Sequence, residues 1–241
     1  MITNKYNNQK CTIDFIESIS SNFETILLIR KRDLSNYEFD NLLSFISQEA
    51  QVKIRSFKFY RDAQNSLLSD VLARIEISKR TGVDIRRHRF TKNQYGKPKL
   101  LGDERIHFNI SHSGECIALG IDSEPLGIDV EEIKPIDMTI AQRFFSADEV
   151  DYIYSQKYKN QLYSFYRIWT MKESYVKWDG KGLSIPLSSF SVLKPNSALS
   201  VFYHNVFTYP SMVCHVCTTR PETPKRKIID LFYIFEQAKN L

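Results

Sequence analysis

The chain has 241 residues, of which 42% are hydrophobic and 13% aromatic, with 8 Gly and 8 Pro. This length suits one large domain or two of about 120 residues, and the composition predicts a folded protein with a sizeable core. No run of 18 apolar residues is present and the first ten residues lack the apolar core of a signal peptide, so we expect a cytoplasmic protein without membrane contact. The net charge of +5 favours acidic partners: a phosphorylated cofactor, an acidic protein or nucleic acid.

Cysteine usage points to buried thiols. Cys214 and Cys217 form a Cys-x-x-Cys pair within a strand-like run, with no second ligand pair nearby. A zinc site needs four ligands and a redox motif normally opens a helix, so reduced, buried thiols are favoured over either site.

The N-terminal part alternates a predicted strand with predicted helices. Residues 1–22 are polar and rich in Asn and Ser, which predicts a weakly ordered extension. Phe23–Ile29 is the first strand candidate, and apolar spacing predicts helices over Tyr37–Ser47 and Ala63–Lys79, the second ending near Gly82.

A basic stretch lies between these two helices. It interleaves cations with aromatic residues, namely Lys53, Arg55, Lys58 and Arg61 with Phe57, Phe59 and Tyr60. Such a pattern binds single-stranded nucleic acid or forms the rim of an anion pocket, and the sequence leaves both open here.

Two further segments have turn chemistry. Asn93–Leu100 predicts an exposed turn with Tyr95 and Lys97 at its tip. Ile106–Asp122 contains two strand-like runs, and Ser111–Gly114 between them predicts a turn or a short helix start.

Leu126–Glu132 is a strand candidate with two acidic residues on one face. Alternate side chains of a strand share a face, so Asp129 and Glu131 point the same way, about 7 Å apart along the backbone. Like charges repel unless a cation lies between them, and a magnesium ion accepts one or two protein carboxylates together with phosphate oxygens. The alternative is a solvated strand end.

Leu162–Gly182 predicts an amphipathic helix that ends in a glycine-rich segment. Leu162, Phe165, Tyr166, Trp169 and Val176 share one face, and Glu173 falls within it. A carboxylate on an apolar face requires a partner such as a cation, a metal ion or a proton. The simpler alternative is an i,i+4 pair of Glu173 with Lys177 on a solvated face.

The element order suggests two halves of similar plan. Ser146–Glu149 matches a capping box for a helix through Tyr154, and strand-like runs follow at Leu183–Val192, Ser200–Tyr203, Met212–Thr218 and Ile228–Phe235. We therefore predict an α+β fold with two halves of similar plan, residues 23–125 and 126–241.

Five segments occur in the order and spacing of the Sfp-type 4′-phosphopantetheinyl transferases: NQYGKP, FNISHSG, LGIDVE, RFFSADE and WTMKESYVKWDGKGLSIPL. The two paired signatures of that family, Gly-x-Asp-x-Glu and Trp-Ser/Thr-x-Lys-Glu-Ser/Ala-x-x-Lys, are both present, about 40 residues apart. The chain resembles that family over about residues 23–203.

The resemblance implies a monomeric enzyme of two pseudo-symmetric α+β halves with the active site between them. It implies transfer of the phosphopantetheine arm of coenzyme A to a serine of an apo acyl or peptidyl carrier protein, with release of 3′,5′-ADP. It implies a metal site of Asp129, Glu131 and Glu173 for magnesium, with manganese as an alternative. Asp129, Glu173 and Lys177 are the predicted catalytic residues. Glu173 is placed to accept the serine proton directly or through a water, and Lys177 to stabilise or protonate the leaving group.

The resemblance also implies contacts to coenzyme A. Lys172 and Lys177 would lie beside the pyrophosphate, and Ser111 and His112 on the adenine and phosphate side. The Tyr95, Gly96, Lys97 and Pro98 turn would wrap the adenine, and Lys53 and Ser66 complete the predicted cofactor contacts.

One departure from the family pattern concerns the 3′-phosphate. Ala50 stands where relatives place a lysine for that group, and Asn65 replaces a basic residue. Lys53, Arg55 or Arg61 can supply positive charge for the 3′-phosphate instead. The sequence therefore leaves open whether the protein prefers coenzyme A over dephospho-coenzyme A.

Two rival functions belong to other classes. One is a coenzyme A or nucleotide-binding module without catalysis, and the other is a basic nucleic-acid binder. Four charged residues at the signature positions argue against a binding module without catalysis. A nucleic-acid binder would need an affinity for oligonucleotides that falls steeply as the salt concentration rises. We therefore expect no nucleic-acid partner.

Overall fold

The computed structural model describes residues 23–194, 200–209 and 211–241, so the predicted extension at residues 1–22 lies outside the described residues. The helices are α1 Asn36–Leu43, α2 Gln48–Arg55, α3 Tyr60–Thr81, α4 Thr139–Phe144, α5 Ala147–Ser155, α6 Tyr158–Asp179 and α7 Leu231–Asn240. The strands are β1 Glu24–Ile29, β2 Phe90–Lys92, β3 Pro98–Leu100, β4 His107–Ser113, β5 Cys116–Asp122, β6 Leu126–Glu132, β7 Phe202–Tyr209, β8 Met212–Thr218 and β9 Lys225–Ile229. Short 3₁₀ turns occur at Ile85–Arg87, Gly182–Ser184 and Leu187–Ser189.

The first half is a four-stranded sheet covered by helices. Its strand order is β4-β5-β1-β9, and the helix α3 packs across it in a core that includes Leu68, Leu72 and Ile75. The predicted first strand and the predicted helix over Ala63–Lys79 are confirmed. The helix extends further in both directions and ends where Gly82 adopts a left-handed φ of 68°.

The second half is a three-stranded sheet covered by α6. Its order is β6-β8-β7, with antiparallel pairing throughout. Leu126, Ile128 and Val130 of β6 join Cys116 and Cys214 in a core between the two sheets. Cys116, Cys214 and Cys217 are free thiols and buried, as expected, and the α+β architecture with two halves is confirmed.

The end of the chain returns to the first half. The strand β9 pairs in parallel with β1, and α7 packs against α3. The strand predicted over Ile228–Phe235 is therefore wrong beyond Ile229, because Asp230 caps a helix by accepting a hydrogen bond from the Tyr233 backbone N–H. The division at residues 125 and 126 stays a prediction.

Three other local predictions need correction. Leu183–Val192 forms 3₁₀ turns instead of a strand. The helix predicted over Tyr37–Ser47 ends at Leu43, and Ser47 caps the separate helix α2. Ser111 and His112 lie within β4 and not in a turn, because the β4 to β5 reversal occurs at Gly114, where φ is 57°.

None of the helices in the described ranges is long and apolar enough to cross a membrane.

The helix α6 approaches β6 closely at Gly127. A Cβ atom at Gly127 would lie 2.0 Å from the carbonyl oxygen of Ser174 and 2.3 Å from the backbone nitrogen of Trp178. Backbone atoms of a long helix cannot move aside as a side chain can. Glycine at this position therefore sets the distance between α6 and the strand that carries Asp129 and Glu131.

We expect Gly127→Ala to lower the free energy of unfolding by about 3 kcal/mol, because the added methyl group overpacks two backbone segments. Urea denaturation followed by circular dichroism measures this change. Gly120→Ala is the matched control, since its Cβ would meet a side-chain methyl group of Leu126, which can rotate away. We expect a loss of about 1 kcal/mol there, and equal losses for the two variants would contradict the proposed role of Gly127.

Candidate active site

The site lies where the edge strand of one sheet meets the edge strand of the other. Asn109 and Ser113 on β4 accept hydrogen bonds from backbone N–H groups of β6: Asn109 Oδ1 from Ile128 at 2.9 Å and Ser113 Oγ from Glu132 at 3.1 Å. The two strands are thus joined by side chains, and this contact is called the β4 to β6 seam. Because Gly127, Asp129 and Glu131 alternate along β6, they face away from the core between the sheets and toward α6.

Asp129 is the most enclosed acidic residue of this face. Its Oδ1 accepts hydrogen bonds from Ser111 Oγ at 2.8 Å and from Lys177 Nζ at 2.6 Å, and Lys177 Nζ also donates to Ser111 Oγ at 3.0 Å. Its Oδ2 is buried and has no hydrogen-bond partner among the described residues. A buried carboxylate oxygen in this state is ready to bind a cation or a hydrogen-bond donor.

Two more carboxylates lie in the electric field of Asp129. Burial and then the charge of Asp129 raise the pKa of Glu131 to about 7, although Ser113 Oγ donates to Glu131 Oε2 at 2.8 Å. The pKa of Glu173 is also raised, by burial first and by Asp129 second, while Lys177 opposes the shift. Both side chains are half-buried. The simpler alternative, an i,i+4 ion pair of Glu173 with Lys177, does not form, because Lys177 pairs with Asp129.

The chemistry of these three residues fits a hard cation such as magnesium. All donor atoms are oxygens, one of them is buried without a partner, and the carboxylates repel one another. Within residues 23–194, 200–209 and 211–241, however, no three metal-binding side chains are gathered closely enough to hold an ion by themselves. Magnesium usually binds one or two protein carboxylates and completes its shell with water and phosphate oxygens, so the fit does not require a full protein cage.

Lys172 points away from this site, unlike its neighbour Glu173. Its side chain is 0% exposed and pairs with the equally buried Glu149 at 2.8 Å. Its Nζ also donates to the backbone oxygens of Leu187 at 2.7 Å and Phe190 at 2.5 Å. The predicted position of Lys172 beside a pyrophosphate is corrected accordingly: on α6, adjacent residues diverge by about 100°, and Glu173 takes the face toward β6.

Glu149 has two structural roles that together fix the start of α5. Its Oε2 accepts a hydrogen bond from the Ser146 backbone N–H at 3.0 Å, which completes the predicted capping arrangement. Its Oε1 accepts from the Val192 N–H at 2.8 Å. With Lys172 this carboxylate connects α5, α6 and the segment after Leu187, and it does not face the carboxylate site.

The turn between β2 and β3 is attached to the second half by Lys97. Lys97 Nζ donates to the carbonyl oxygens of Leu126 at 3.0 Å and Trp178 at 3.2 Å, and Asn93 Nδ2 donates to Gly180 at 2.8 Å. Burial and then Lys99 lower the pKa of Lys97 to about 8. The sequence predicted Lys97 as a free cation at the tip of an exposed turn. In the structure its ammonium is instead bound to two carbonyl oxygens of the second half.

The other residues predicted to contact a cofactor lie in two places. Tyr95, Gly96 and Pro98 are exposed on the turn, and His112 is exposed on β4, where partial burial and then Lys177 lower its pKa. Lys53 and Ser66 line a cavity of about 740 Å³ between α2, α3 and the β2 strand.

Sequence reasoning missed the contribution of Asn109 and Ser113. Both lie on the same face of β4 as Ser111, so Asn-x-Ser-x-Ser on one strand opposes Gly-x-Asp-x-Glu on the other. The signal was the period of two shared by both segments, which is typical of strands with one polar face. It was obscured because Ser-His-Ser-Gly also has the composition of a turn.

The comparisons with known proteins agree with this architecture. A family model described as 4′-phosphopantetheinyl transferase, N-terminal, matches residues 33–124, and one described as 4′-phosphopantetheinyl transferase superfamily matches residues 125–220. The chain is 42% identical to 4′-phosphopantetheinyl transferase ffp from Bacillus subtilis over 80% of its own length and 91% of that relative. It is 40% identical to 4′-phosphopantetheinyl transferase Sfp from Bacillus subtilis (strain 168) over the same shares of both chains.

The chain belongs to the Sfp-type 4′-phosphopantetheinyl transferases. A more distant relative, 4′-phosphopantetheinyl transferase gsp from Aneurinibacillus migulanus, is 37% identical over 72% of each chain. The predicted enzyme class is thus confirmed. The protein is a transferase that moves phosphopantetheine to carrier proteins, and coenzyme A is the substrate of its family.

We expect Lys172→Met to lower the free energy of unfolding by about 3–5 kcal/mol, because it leaves the buried Glu149 carboxylate without its cation. Chemical denaturation measures this loss, and Lys172→Met combined with Glu149→Gln should lose less than the sum of the two single variants. Lys181→Met is the control, since the exposed Lys181 pairs with Asp179 and its loss should cost under about 1 kcal/mol. A Lys172→Met protein of unchanged stability but weakened coenzyme A binding would contradict the structural role.

Proposed function

We propose that this transferase binds coenzyme A across the β4 to β6 seam and uses Asp129, Glu131 and Glu173 to hold a magnesium ion against its pyrophosphate, with manganese as an alternative. The observation that carries this proposal is the buried, unpartnered Oδ2 of Asp129 beside two further carboxylates of raised pKa. When bound, a magnesium ion supplies positive charge that neutralises the pyrophosphate and stabilises the departing phosphate.

Glu173 is proposed as the general base. It accepts the proton of the carrier serine hydroxyl as the serine oxygen forms a bond to the phosphorus that bears the pantetheine group. The bond from that phosphorus to the oxygen of the 5′-phosphate breaks, and 3′,5′-ADP leaves with the electron pair. A half-buried carboxylate with a raised pKa is a stronger base than one in water, and the direction of the Glu173 shift supports this role.

Lys177 is proposed to stabilise the leaving phosphate. Its ammonium now contacts Asp129 Oδ1 and Ser111 Oγ at hydrogen-bond distance, so it already lies at the edge of the carboxylate site. A lysine side chain has four rotatable bonds, so its ammonium can turn from Asp129 to a phosphate oxygen of a bound ligand. Asp129 therefore has two roles in the proposal, as a metal ligand and as the group that positions Lys177.

The remaining contacts to coenzyme A are proposed from residues on the same side of the seam. Ser111 and His112 lie on β4 beside Lys177, and the Tyr95 to Pro98 turn stands next to the end of α6. A flat, anionic ligand needs an enclosing wall and a few polar groups that fix its orientation. Lys53 and Ser66 extend this surface on the other side of the β2 to β3 hairpin.

The proposed partner is the apo form of an acyl or peptidyl carrier domain from secondary metabolism, such as nonribosomal peptide or polyketide synthesis. Such domains are small and acidic, and the net charge of +5 on this protein favours an acidic partner. We further propose a monomeric, cytoplasmic enzyme that acts without nucleic acid or membrane. No described contact favours the rival binding modules.

The predicted activity is tested directly with a panel of apo carrier proteins. We expect the protein, coenzyme A and magnesium to add the mass of phosphopantetheine to at least one acyl or peptidyl carrier, as detected by intact-protein mass spectrometry. A carrier whose acceptor serine is changed to alanine is the control and should keep its mass. An unmodified panel, with a known family member active in parallel, would contradict the assignment.

We expect Glu173→Gln to lower the transfer rate by at least about a hundredfold at saturating magnesium, since the amide keeps size and hydrogen bonding but cannot take up the serine proton. The apo protein should remain folded and be at least as stable to heat as the wild type, because a repelled carboxylate is removed.

Glu132→Gln serves as the matched control for Glu173→Gln. Glu132 belongs to the same acidic segment, but it faces away from the site and pairs with Lys134 at 2.8 Å. We expect this variant to keep a nearly wild-type rate. A Glu173→Gln enzyme with similar turnover would contradict the role of Glu173 as the base.

A further inference from the structure

A buried polar contact joins α6 to the middle strand of the second sheet. Thr170 Oγ1 and His215 Nδ1 lie 2.8 Å apart, and both side chains are buried. Burial and then the charge of Arg167 lower the pKa of His215 to about 3, so the imidazole is neutral at neutral pH. Either neutral tautomer completes the bond, because a hydroxyl group both donates and accepts. The contact is therefore a hydrogen bond between two uncharged groups.

His215 occupies a position on the sheet that is fixed from both sides. The strand β8 is the middle strand of the order β6-β8-β7, so ladder hydrogen bonds hold both of its edges. In the ladder with β6, His215 stands opposite Asp129. Residues paired in this way share one face of a sheet, which here is the face covered by α6. The imidazole thus anchors α6 at the strand position next to Asp129.

Thr170 lies one helical turn before the charged groups of α6. Residues three, four and seven positions apart lie on one side of a helix, so Thr170, Glu173 and Lys177 face the sheet together. The same side of α6 approaches β6 so closely at Gly127 that a Cβ there would lie 2.0 Å from the Ser174 carbonyl oxygen. Glu173 is therefore held between a hydrogen bond on one side and a backbone contact on the other.

The buried pair of Lys172 with Glu149 holds α6 from a different direction. Thr170 and Lys172 are two residues apart, which corresponds to about 200° around a helix. Their polar contacts thus lie on nearly opposite sides of α6, one toward β8 and one toward α5. Two contacts on opposite sides restrict the rotation of a helix more than either contact does alone.

Apolar packing by itself does not account for a polar pair at this place. Neighbouring residues of α6 and β8, such as Met171 and Val213, belong to one hydrophobic core. Apolar contacts are non-directional, and replacing both partners of a buried hydrogen bond by apolar groups of the same shape is nearly neutral for stability. A hydrogen bond, in contrast, has a preferred distance and angle. The specific contribution of the Thr170 to His215 bond is thus the orientation of α6 on the sheet.

We infer that the Thr170 to His215 hydrogen bond positions Glu173 on α6 against Asp129 on β6 for the transfer reaction. Both members are positioning residues, since they act through the orientation of the helix that carries Glu173 and need no contact with a substrate. This inference rests on the proposed function, because it takes Glu173 as the general base. A displacement of a reacting group by about 1 Å can lower a rate by about a hundredfold.

The test separates orientation from stability by removing one polar group and then both. Thr170→Val leaves the buried His215 without its partner, so this variant should melt at a lower temperature than the wild type. In the double variant Thr170→Val with His215→Leu both polar groups are gone, and the melting temperature should return close to the wild-type value.

The rate of the double variant should not recover with its stability. With a carrier modified by the wild type, we expect its kcat to stay about tenfold to a hundredfold below the wild-type value. The KM for coenzyme A should change less than about twofold, since the proposed contacts to the nucleotide lie on β4 and the β2 to β3 hairpin. A purely structural role of the pair predicts that kcat recovers together with the melting temperature.

Conservative variants and a neighbouring hydroxyl group are the controls. Thr170→Ser keeps the hydroxyl, and His215→Asn places an amide near the position of Nδ1, so both should retain most of the wild-type kcat. Ser174→Ala removes a buried hydroxyl that donates to the Met171 carbonyl oxygen within α6, and it should retain kcat as well. A double variant with wild-type kcat, or a rate that neither conservative variant retains, would overturn the proposal.

Amide hydrogen exchange tests the same role without a carrier. In the double variant we expect the amides of residues 168–178 to exchange faster than in the wild type, while exchange in α3 stays unchanged. Unchanged exchange in residues 168–178 would overturn the inference even where no carrier in the panel is modified. If carriers are modified and the double variant matches the wild type in both exchange and kcat, the proposed function stands and the positioning role is wrong.

Discussion

The seam between β4 and β6 is the constraint on which the rest of the site depends. Each strand is the edge of its own sheet, and edge strands carry backbone groups without ladder partners. Asn109 and Ser113 satisfy two such N–H groups with side chains, so the halves join without merging into one sheet. This separation leaves the polar face of β6 open to α6, and Asp129 and Glu131 face that opening instead of a dry core.

The helix α6 places opposite charges on its two sides. Lys172 enters the core, where burial is tolerated because Glu149 and two carbonyl oxygens surround its ammonium. Glu173, the next residue, stays half-buried beside Asp129. A buried ion pair stabilises little by itself, but removing either partner is costly, so the pair fixes the rotation of α6. That rotation of α6 places Glu173, and not Lys172, toward the seam.

Ion pairs and hydrogen bonds of two lysines connect the carboxylate site to both halves. Lys177 neutralises Asp129 and contacts Ser111 of the other half, while Lys97 ties the β2 to β3 turn to Leu126 and Trp178. Both lysines bridge segments that are distant in sequence. Binding of coenzyme A at this place, as proposed, would therefore change the partners of groups that hold the two halves together. This is a physical basis for coupling substrate binding to the geometry of the site.

The amino-acid sequence determined the family through its two paired signatures. It also determined the acidic pair on β6 and the helix that carries Glu173, because strand and helix periods place those residues by local geometry alone. It placed Glu173 on the apolar face and Lys172 beside a ligand, whereas Lys172 is the fully buried charge, because Glu149, 23 positions earlier, supplies its partner. It predicted strands at Leu183–Val192 and beyond Ile229, where 3₁₀ turns and α7 form. Only the tertiary structure decided these points and the pairing of β9 with β1, because they depend on contacts between residues far apart in the chain. Short apolar runs by themselves fit several local conformations equally well.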